Sequence, residues 1–545
     1  MTAAIDLSYS LEDCYVRTQG SVYLTGTQAL VLLPLLQRRR DRAAGLNTAG
    51  FISGYRGSPL GGYDQALWRA DKHLVDHQIQ FQPGLNEELG ATAVAGSQQV
   101  ESEGDGARCD GVFGLFYAKG PGIDRAGDAL KHGNAAGSSP RGGVLVVAGD
   151  DHGSISSSMS HQSDEVLKAW QIPVLSPANL QDYLTFGLYG WALSRFSGAW
   201  VGFTAISETV ESAGVVNLPN PLPLFDRPVA YKPPQGGLHY RSDLPGMHIE
   251  QRLFDKLDAV RAFAATNSID RFLANPHDAR LGIVSTGKAH LDLMQALADL
   301  GLRENDLERQ GIRLYKVGLT FPLEPSRMLA FADGLDEILV VEEKGPIVEE
   351  QLKSLLYDSR HTQPRVIGKR DVGGDALIPR VDELRPYRLR PILREWLRTR
   401  GVEMPIRAAE REEPVECGAP VGNRVPYFCA GCPHNTSTKV PEGSRAYGGI
   451  GCHYMARWMN RNTEGLIQMG GEGVNWVGLA PFTKTEHVFQ NLGDGTFYHS
   501  GSLAIRSAIA AGVNITYKIL VNDAVAMTGG QPVEGQPTVD AICEQ

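Results

Sequence analysis

Gly493-Asp-Gly-Thr-Phe-Tyr-His-Ser-Gly-Ser-Leu-Ala-Ile-Arg-Ser-Ala-Ile-Ala-Ala-Gly-Val-Asn-Ile-Thr-Tyr-Lys-Ile-Leu-Val-Asn-Asp523 is the stretch whose reading decides the fold. It reads as a Gly-bounded strand end, a helix over 500–511 and a β-rich apolar strand over 515–521 that closes on Asn522. Strand, crossover helix and strand in one parallel sheet carry Asp494 and Asn522 to the same carboxyl edge. An oxygen pair there suits a hard divalent ion, because Mg²⁺ takes one or two protein oxygens together with substrate phosphates. Gly493 and Gly495 let a diphosphate reach backbone N–H groups. A Gly-Asp-Gly by itself is an ordinary turn. The spacing to Asn522, with Thr528-Gly-Gly-Gln531 just after it, points to a diphosphate–Mg²⁺ site.

Upstream, the same alternation recurs. Gly50-Phe-Ile-Ser-Gly-Tyr, Gly111-Val-Phe-Gly-Leu-Phe-Tyr, Gly143-Val-Leu-Val-Val-Ala and Ala199-Trp-Val-Gly-Phe-Thr-Ala read as buried strands, with helices over 86–103, 163–170 and 180–197. This predicts an α/β fold of several doubly wound, mostly parallel sheets. A Pro-rich run over 217–228 closes the first domain, 1–235, and a connecting helix is expected within 236–275. A second α/β unit occupies 276–400, an exposed linker 401–424, and a third unit 425–545. That unit finishes on Cys543-Glu-Gln without a helical stop signal, so the last domain is expected to be incomplete.

With 545 residues, 42% of them hydrophobic and 21% charged, the chain is multidomain and neither disordered nor fibrous. A net charge of −10 argues against a nucleic-acid partner. Neither a secretory leader nor an apolar run of about 18 residues is visible, so a cytoplasmic setting is expected. The 62 glycines exceed ordinary usage and signal tight turns and close ligand approach. Of seven cysteines, three crowd one segment: Cys429-Ala-Gly-Cys432-Pro-His, then Gly449-Ile-Gly-Cys452-His453. Such thiolates suit an iron–sulfur cluster or, with His434 and His453, zinc; a thioredoxin-like pair lacks its strand-then-helix setting.

Asp494 and Asn522 resemble the thiamine-diphosphate motif. With the cysteines just upstream, and with Gly54-Tyr-Arg-Gly-Ser-Pro59, Asn86-Glu-Glu-Leu-Gly-Ala91 and Asp150-Asp-His-Gly-Ser-Ile-Ser-Ser-Ser-Met-Ser-His-Gln162, nearly the whole chain resembles the 2-oxoacid:ferredoxin oxidoreductases. It looks most like the N-terminal portion of their long fused, indolepyruvate-type form. The resemblance implies thiamine-diphosphate-type domains: a pyrimidine-side domain first, a transketolase C-terminal-like domain in the middle, and an iron–sulfur and diphosphate-side domain last. It also implies oxidative decarboxylation of a 2-oxoacid, arylpyruvates such as indolepyruvate leading, with coenzyme A taking the acyl group and ferredoxin the electrons.

Thiamine requires a carboxyl group at N1′ of its pyrimidine. The resemblance assigns this to Glu87, with Glu88 the adjacent alternative, about 100° away on a helix. It places Ser58 against the 2-oxoacid, Arg56 against its carboxylate, and His161 with Gln162 near the reaction centre, although a structural histidine is the competing reading. Met469, Gly470 and Gly471 match the loop on the thiazole side. Gly493, Asp494, Gly495, Asn522, Ala524 and Thr528 match the cofactor-binding segment, with Asp494, Asn522 and Ala524 on Mg²⁺. Cys429, Cys432 and Cys452 match three ligands of a [4Fe–4S] cluster, Cys543 being a poor fourth. A homodimer or larger assembly is expected. The rivals are a non-redox thiamine decarboxylase or transferase with structural zinc, and a zinc-stabilised scaffold.

Overall fold

The computed structural model describes residues 8–357, 363–404, 425–522, 524–535 and 538–545. Most of the expected linker, with Cys417, lies outside the described residues, as does Asp523. The chain divides into two compact units, Met1–Glu413 and Pro414–Gln545.

In the first unit a short helix, Asp13–Val16, and a strand, Gly20–Thr25, that pairs antiparallel with Ala213–Leu218 precede α1 (Gly26–Ala43), which is started by a capping box in which Thr25 accepts the Gln28 N–H and Gln28 accepts the Thr25 N–H. Six strands follow: β1 (Ala49–Gly54), β2 (Ile79–Phe81), β3 (Val112–Lys119), β4 (Val144–Gly149), β5 (Val174–Leu175) and β6 (Val201–Thr204). They are all parallel, in the order β2-β1-β3-β4-β6-β5. Every residue of β4 is buried, as expected of a strand covered by helices on both faces, and its sequence accordingly shows no polar alternation. The crossovers include α2 (Glu87–Ser97), α3 (Gly120–Arg125), α4 (Ser163–Ala169) and α5 (Leu180–Ser197). The helix expected over 86–103 stops at Ser97. The side chain of Gln98 turns inward to donate to the Val112 carbonyl at 2.9 Å, and a 3₁₀ segment replaces the last turn.

The connecting helix is α6 (Met247–Thr266), and it is shorter than expected. Asn267 leaves the helix to hydrogen-bond both backbone groups of Asp226, and Arg271–Ala274 continues as strand β7. Next come β8 (Leu281–Thr286), α7 (Gly287–Asp299), β9 (Ile312–Val317), β10 (Leu319–Phe321), β11 (Glu337–Val341), α8 (Ile347–Tyr357), β12 (Arg365–Ile367) and α9 (Pro386–Thr399). Five of these strands form a sheet in the order β12-β11-β8-β9-β7, antiparallel only at β7. The sixth, β10, instead joins the edge of the first sheet, antiparallel to β5. The two sheets share one apolar core, in which Phe116, Val146 and Trp200 pack with Tyr315, Phe331 and Val340.

In the second unit a parallel four-stranded sheet is built from β13 (Ala446–Tyr447), β14 (Thr463–Glu464), β15 (Val488–Gly493) and β16 (Ile515–Leu520), in the order β14-β13-β15-β16. Helix α10 (Ser502–Ala511) makes the β15–β16 crossover. It is preceded by a π-helical segment, Phe497–Gly501, so the regular helix begins two residues later than expected. No helix among the described residues is long and apolar enough to cross a membrane.

The β1–β3 seam sets the tightest backbone tolerance near the candidate site. A Cβ on Gly54 would stand 2.0 Å from the Tyr117 carbonyl oxygen, which belongs to the backbone and cannot swing aside. Gly54→Ala is therefore expected to destabilise the protein by about 1–3 kcal/mol, the range for overpacking, read as a lower denaturant midpoint with an unchanged slope.

Candidate active site

In an open parallel sheet, ligands gather where the strand order reverses, at the carboxyl edge. In the first unit the chain leaves β1 for β2 on one side and then crosses to β3 on the other, so this point lies between β1 and β3. The loop 55–59 leaves β1 there, and α3 leaves β3 there. Glu87 opens α2, its start fixed by Asn86, whose side chain accepts the Leu89 N–H at 2.9 Å.

Short helix α3 seats two of the expected residues through its two glycines. A Cβ on Gly122 would come within 2.7 Å of Glu87 Oε1, and one on Gly120 within 2.4 Å of the His161 ring. Glu87 is buried, while its neighbour Glu88 keeps 47% of its side chain exposed. Arg125, at the end of α3, lies 3.9 Å from each of the two carboxylates. His161 is held between Asp124 (Nε2 to Oδ2, 2.7 Å) and Asp150 (Nδ1 to Oδ1, 3.2 Å). Burial pulls its pKa down, but the two carboxylates outweigh burial and raise it to about 9. Asp150 also accepts the backbone N–H and hydroxyl of Ser163, and these bonds with His161 hold it below the usual carboxylate range despite burial.

The other expected residues are placed differently. Arg56 is buried beneath the loop, with Nε 3.0 Å from Asp64 Oδ2, and Asp64 also accepts the Tyr117 hydroxyl. The guanidinium expected to meet a substrate carboxylate thus faces an internal one, that of Asp64. Ser58 accepts a hydrogen bond from Ser156 at 2.5 Å, which ties the loop after β1 to the loop after β4. Gln162 is turned to the second sheet, where it accepts the Gly345 N–H at 2.8 Å. Asp64, Gly122, Asp124 and Arg125 escaped the sequence reading, although the glycine pair in Gly120-Pro-Gly-Ile-Asp-Arg125 at a strand end was a usable signal.

The second unit repeats the arrangement. Its reversal point lies between β13 and β15: β13 runs into Gly448-Gly-Ile-Gly-Cys452-His453, and β15 ends on Gly493-Asp494. Asp494 is buried and ties the sheet edge together, Oδ1 accepting from Gly495 N and Oδ2 from Asn522 N, both at 2.8 Å. Asn522 Oδ1 accepts the Ala524 N–H at 3.3 Å, and Thr528 bonds within its own loop to Gln531 at 3.0 Å. The Met469-Gly-Gly loop is anchored by Glu472, a fully buried residue the sequence reading did not single out. Its carboxylate accepts from Gly470 N at 2.6 Å and Ile450 N at 3.3 Å.

An aspartate, an amide oxygen and the neighbouring Ala524 carbonyl form a hard-oxygen set that fits Mg²⁺ with a diphosphate. Cys429 and Cys432 share one tight turn, the Cys432 N–H donating to the Cys429 carbonyl at 3.1 Å. Burial, then the charges of Cys432 and Cys429, push the Cys452 thiol up, as expected of three neighbouring sulfurs. Thiol donors have the chemistry of iron–sulfur ligands. Among the described residues, no three His, Cys, Asp or Glu side chains converge as a closed metal-binding group. Cys543 is exposed on the last helix.

Because the folded-state pKa of His161 is raised, its stabilising contribution is complete below the ordinary histidine value of about 6.5 and is lost as pH climbs through about 9. The unfolding free-energy difference between the wild type and His161→Gln is expected to be larger at pH 6 than at pH 10, measured by denaturant titration at each pH.

Comparison with known proteins accords with this geometry. Residues 271–412 match the indolepyruvate oxidoreductase domain, and residues 449–541 match the C-terminal thiamine pyrophosphate-binding domain of thiamine pyrophosphate enzymes. The indolepyruvate oxidoreductase subunit IorA of Thermococcus kodakarensis is 26% identical over 79% of this chain and 67% of its own length. That of Methanothermobacter thermautotrophicus is 25% identical over 98% of this chain and 80% of its own. A solved 2-oxoglutarate:ferredoxin oxidoreductase from Magnetococcus marinus overlaps with a TM-score of 0.47 at 14% identity, over 69% of this chain and 65% of that one, a likeness too distant to carry an assignment. The chain is a homologue of the IorA subunits, and its last unit is similar to the thiamine pyrophosphate-binding domain of thiamine pyrophosphate enzymes.

Proposed function

We propose that the protein oxidatively decarboxylates a 2-oxoacid, an arylpyruvate such as indolepyruvate being favoured, with the acyl group passed to coenzyme A and the electrons to ferredoxin through a [4Fe–4S] cluster. The observation that carries this reading is in the second unit: Asp494 and Cys452 follow the two strands that flank one reversal point. A diphosphate anchor beside a cysteine cluster is what a redox thiamine enzyme needs, and a non-redox decarboxylase has no use for the thiols.

When bound, thiamine diphosphate supplies the carbon nucleophile at which a 2-oxoacid loses CO₂. Asp494, Asn522 and the Ala524 carbonyl would hold its Mg²⁺, and the backbone of Gly493 and Gly495 would receive the diphosphate. Met469, Gly470 and Gly471 would line the thiazole side. Glu87, buried against Gly122, would hold a proton at the pyrimidine N1′. Ser58 gives a hydroxyl to the 2-oxoacid. His161, seated between its two aspartates against Gly120, would stand near the reaction centre. Arg56 acts through Asp64 and Tyr117 to keep the 55–59 loop in shape. Cys429, Cys432 and Cys452 would hold the cluster. We place the enzyme in the cytoplasm as a homodimer or larger assembly.

Two measurements test this. Anaerobically purified protein is expected to carry about four irons per chain with matching acid-labile sulfide, the content of one [4Fe–4S] cluster; zinc in place of iron would overturn the redox reading. Glu87→Gln is expected to lower 2-oxoacid-dependent reduction of ferredoxin by about 10²–10⁴-fold, the range for a lost general acid–base group. Unchanged turnover would remove Glu87 from the mechanism.

A further inference from the structure

The second unit buries an imidazole whose Nε2 has no hydrogen-bond partner. His453 is 1% exposed, and among the described residues that nitrogen meets neither a donor nor an acceptor. A polar atom shut away from water without a partner carries its full desolvation penalty, so an orphan of this kind in a folded protein calls for an explanation.

Its position supplies one. His453 follows the loop that leaves β13, and its ring lies over the residue that ends β15: a Cβ on Gly493 would stand 3.6 Å from the His453 Cε1 and 3.7 Å from Nδ1. A Cβ on Gly451 would come within 2.7 Å of the same ring, and Gly451 has a φ of 151° that leaves little room for any other residue. Gly451 thus clears the space in which the imidazole sits, and the ring lies in van der Waals range of Gly493, beside the Gly-Asp-Gly turn and at the reversal point between β13 and β15. The Thr496 hydroxyl donates to the Ile450 carbonyl at 3.1 Å, fastening the two loops to each other and holding the ring at this edge.

We propose that His453 is a cofactor-binding residue that donates a hydrogen bond from Nε2 to an oxygen of the thiamine diphosphate. The inference rests on the function proposed above and adds to it a neutral donor that the oxygen ligands of Mg²⁺ cannot supply.

Isothermal titration of the full-length apo chain with thiamine diphosphate in excess Mg²⁺ provides the test. His453→Phe keeps the ring volume and is expected to weaken binding by about ten- to a hundredfold, the range for a lost hydrogen bond to a charged group. His453→Gln, whose amide nitrogen reaches the region of Nε2, is expected to restore most of the affinity. His453→Asn, which mimics Nδ1 instead, is not. Should the Phe variant fail to fold, judged by its thermal melt, the Gln and Asn variants decide between them. Equal dissociation constants for wild type and Phe, or equal rescue by Asn and Gln, would overturn the assignment. A wild-type chain that binds no thiamine diphosphate would overturn the proposed function as well, which separates the two failures.

Discussion

Close backbone approach at the carboxyl edge of the sheets is the constraint on which the rest depends. At Gly54 the neighbouring strand leaves no volume for a single methyl group, and Gly90 of α2 packs on the same point, its absent Cβ 3.0 Å from the Gly54 Cα. That contact seats the start of α2, and with it Glu87, against α3. Had either position carried a side chain, the helix would stand off the sheet and Glu87 would lose the wall formed by Gly122. Interiors this dense transmit such a displacement rather than absorb it.

Beneath this edge the first unit uses buried charge to set geometry. Arg56, Asp64 and Tyr117 form an enclosed network under the 55–59 loop, and Arg195 grips Asp41 through two hydrogen bonds of 2.6 and 2.7 Å between α5 and α1. Well-packed apolar side chains in these places would hold the fold about as well, since burying charge costs much of what pairing returns. What such pairs add is direction: each guanidinium accepts few orientations of its carboxylate, and the attached loop is held with it. Arg56 is the clearest case, because its pairing with Asp64 lies directly beneath the loop that leaves β1.

The second unit reaches a similar end with a single carboxylate. Both oxygens of Asp494 are tied to backbone N–H groups, one in its own turn and one at the end of the neighbouring strand, so the motif spacing has a mechanical reason. β15, α10 and β16 return the chain to the starting edge after the 28 positions that separate Asp494 from Asn522. Glu472 does comparable work for the glycine loops on the other side of the reversal point, accepting from Gly470 and Ile450 at once.

Much of this was legible in the residues. Strands such as Val144–Gly149 and Val201–Thr204 are unbroken apolar runs because both faces are covered, and helices such as Leu180–Ser197 announce themselves by length and by a capping asparagine. The end of α6 was not legible, because it depends on Asn267 reaching Asp226, a partner 41 positions away. Nor could the sequence assign β10, three residues that pair with β5 rather than with their neighbours in the chain. By itself, the sequence determined the element types and the residues that gather at each sheet edge, since these follow from local periodicity and from the parallel crossover. Only the tertiary structure decided that Glu87 is buried and Glu88 exposed, that Arg56 pairs with Asp64, that His161 sits between two aspartates, and that His453 lies against Gly493. Each of these depends on side chains far apart in the chain competing for the same small volume, which no one-dimensional pattern records.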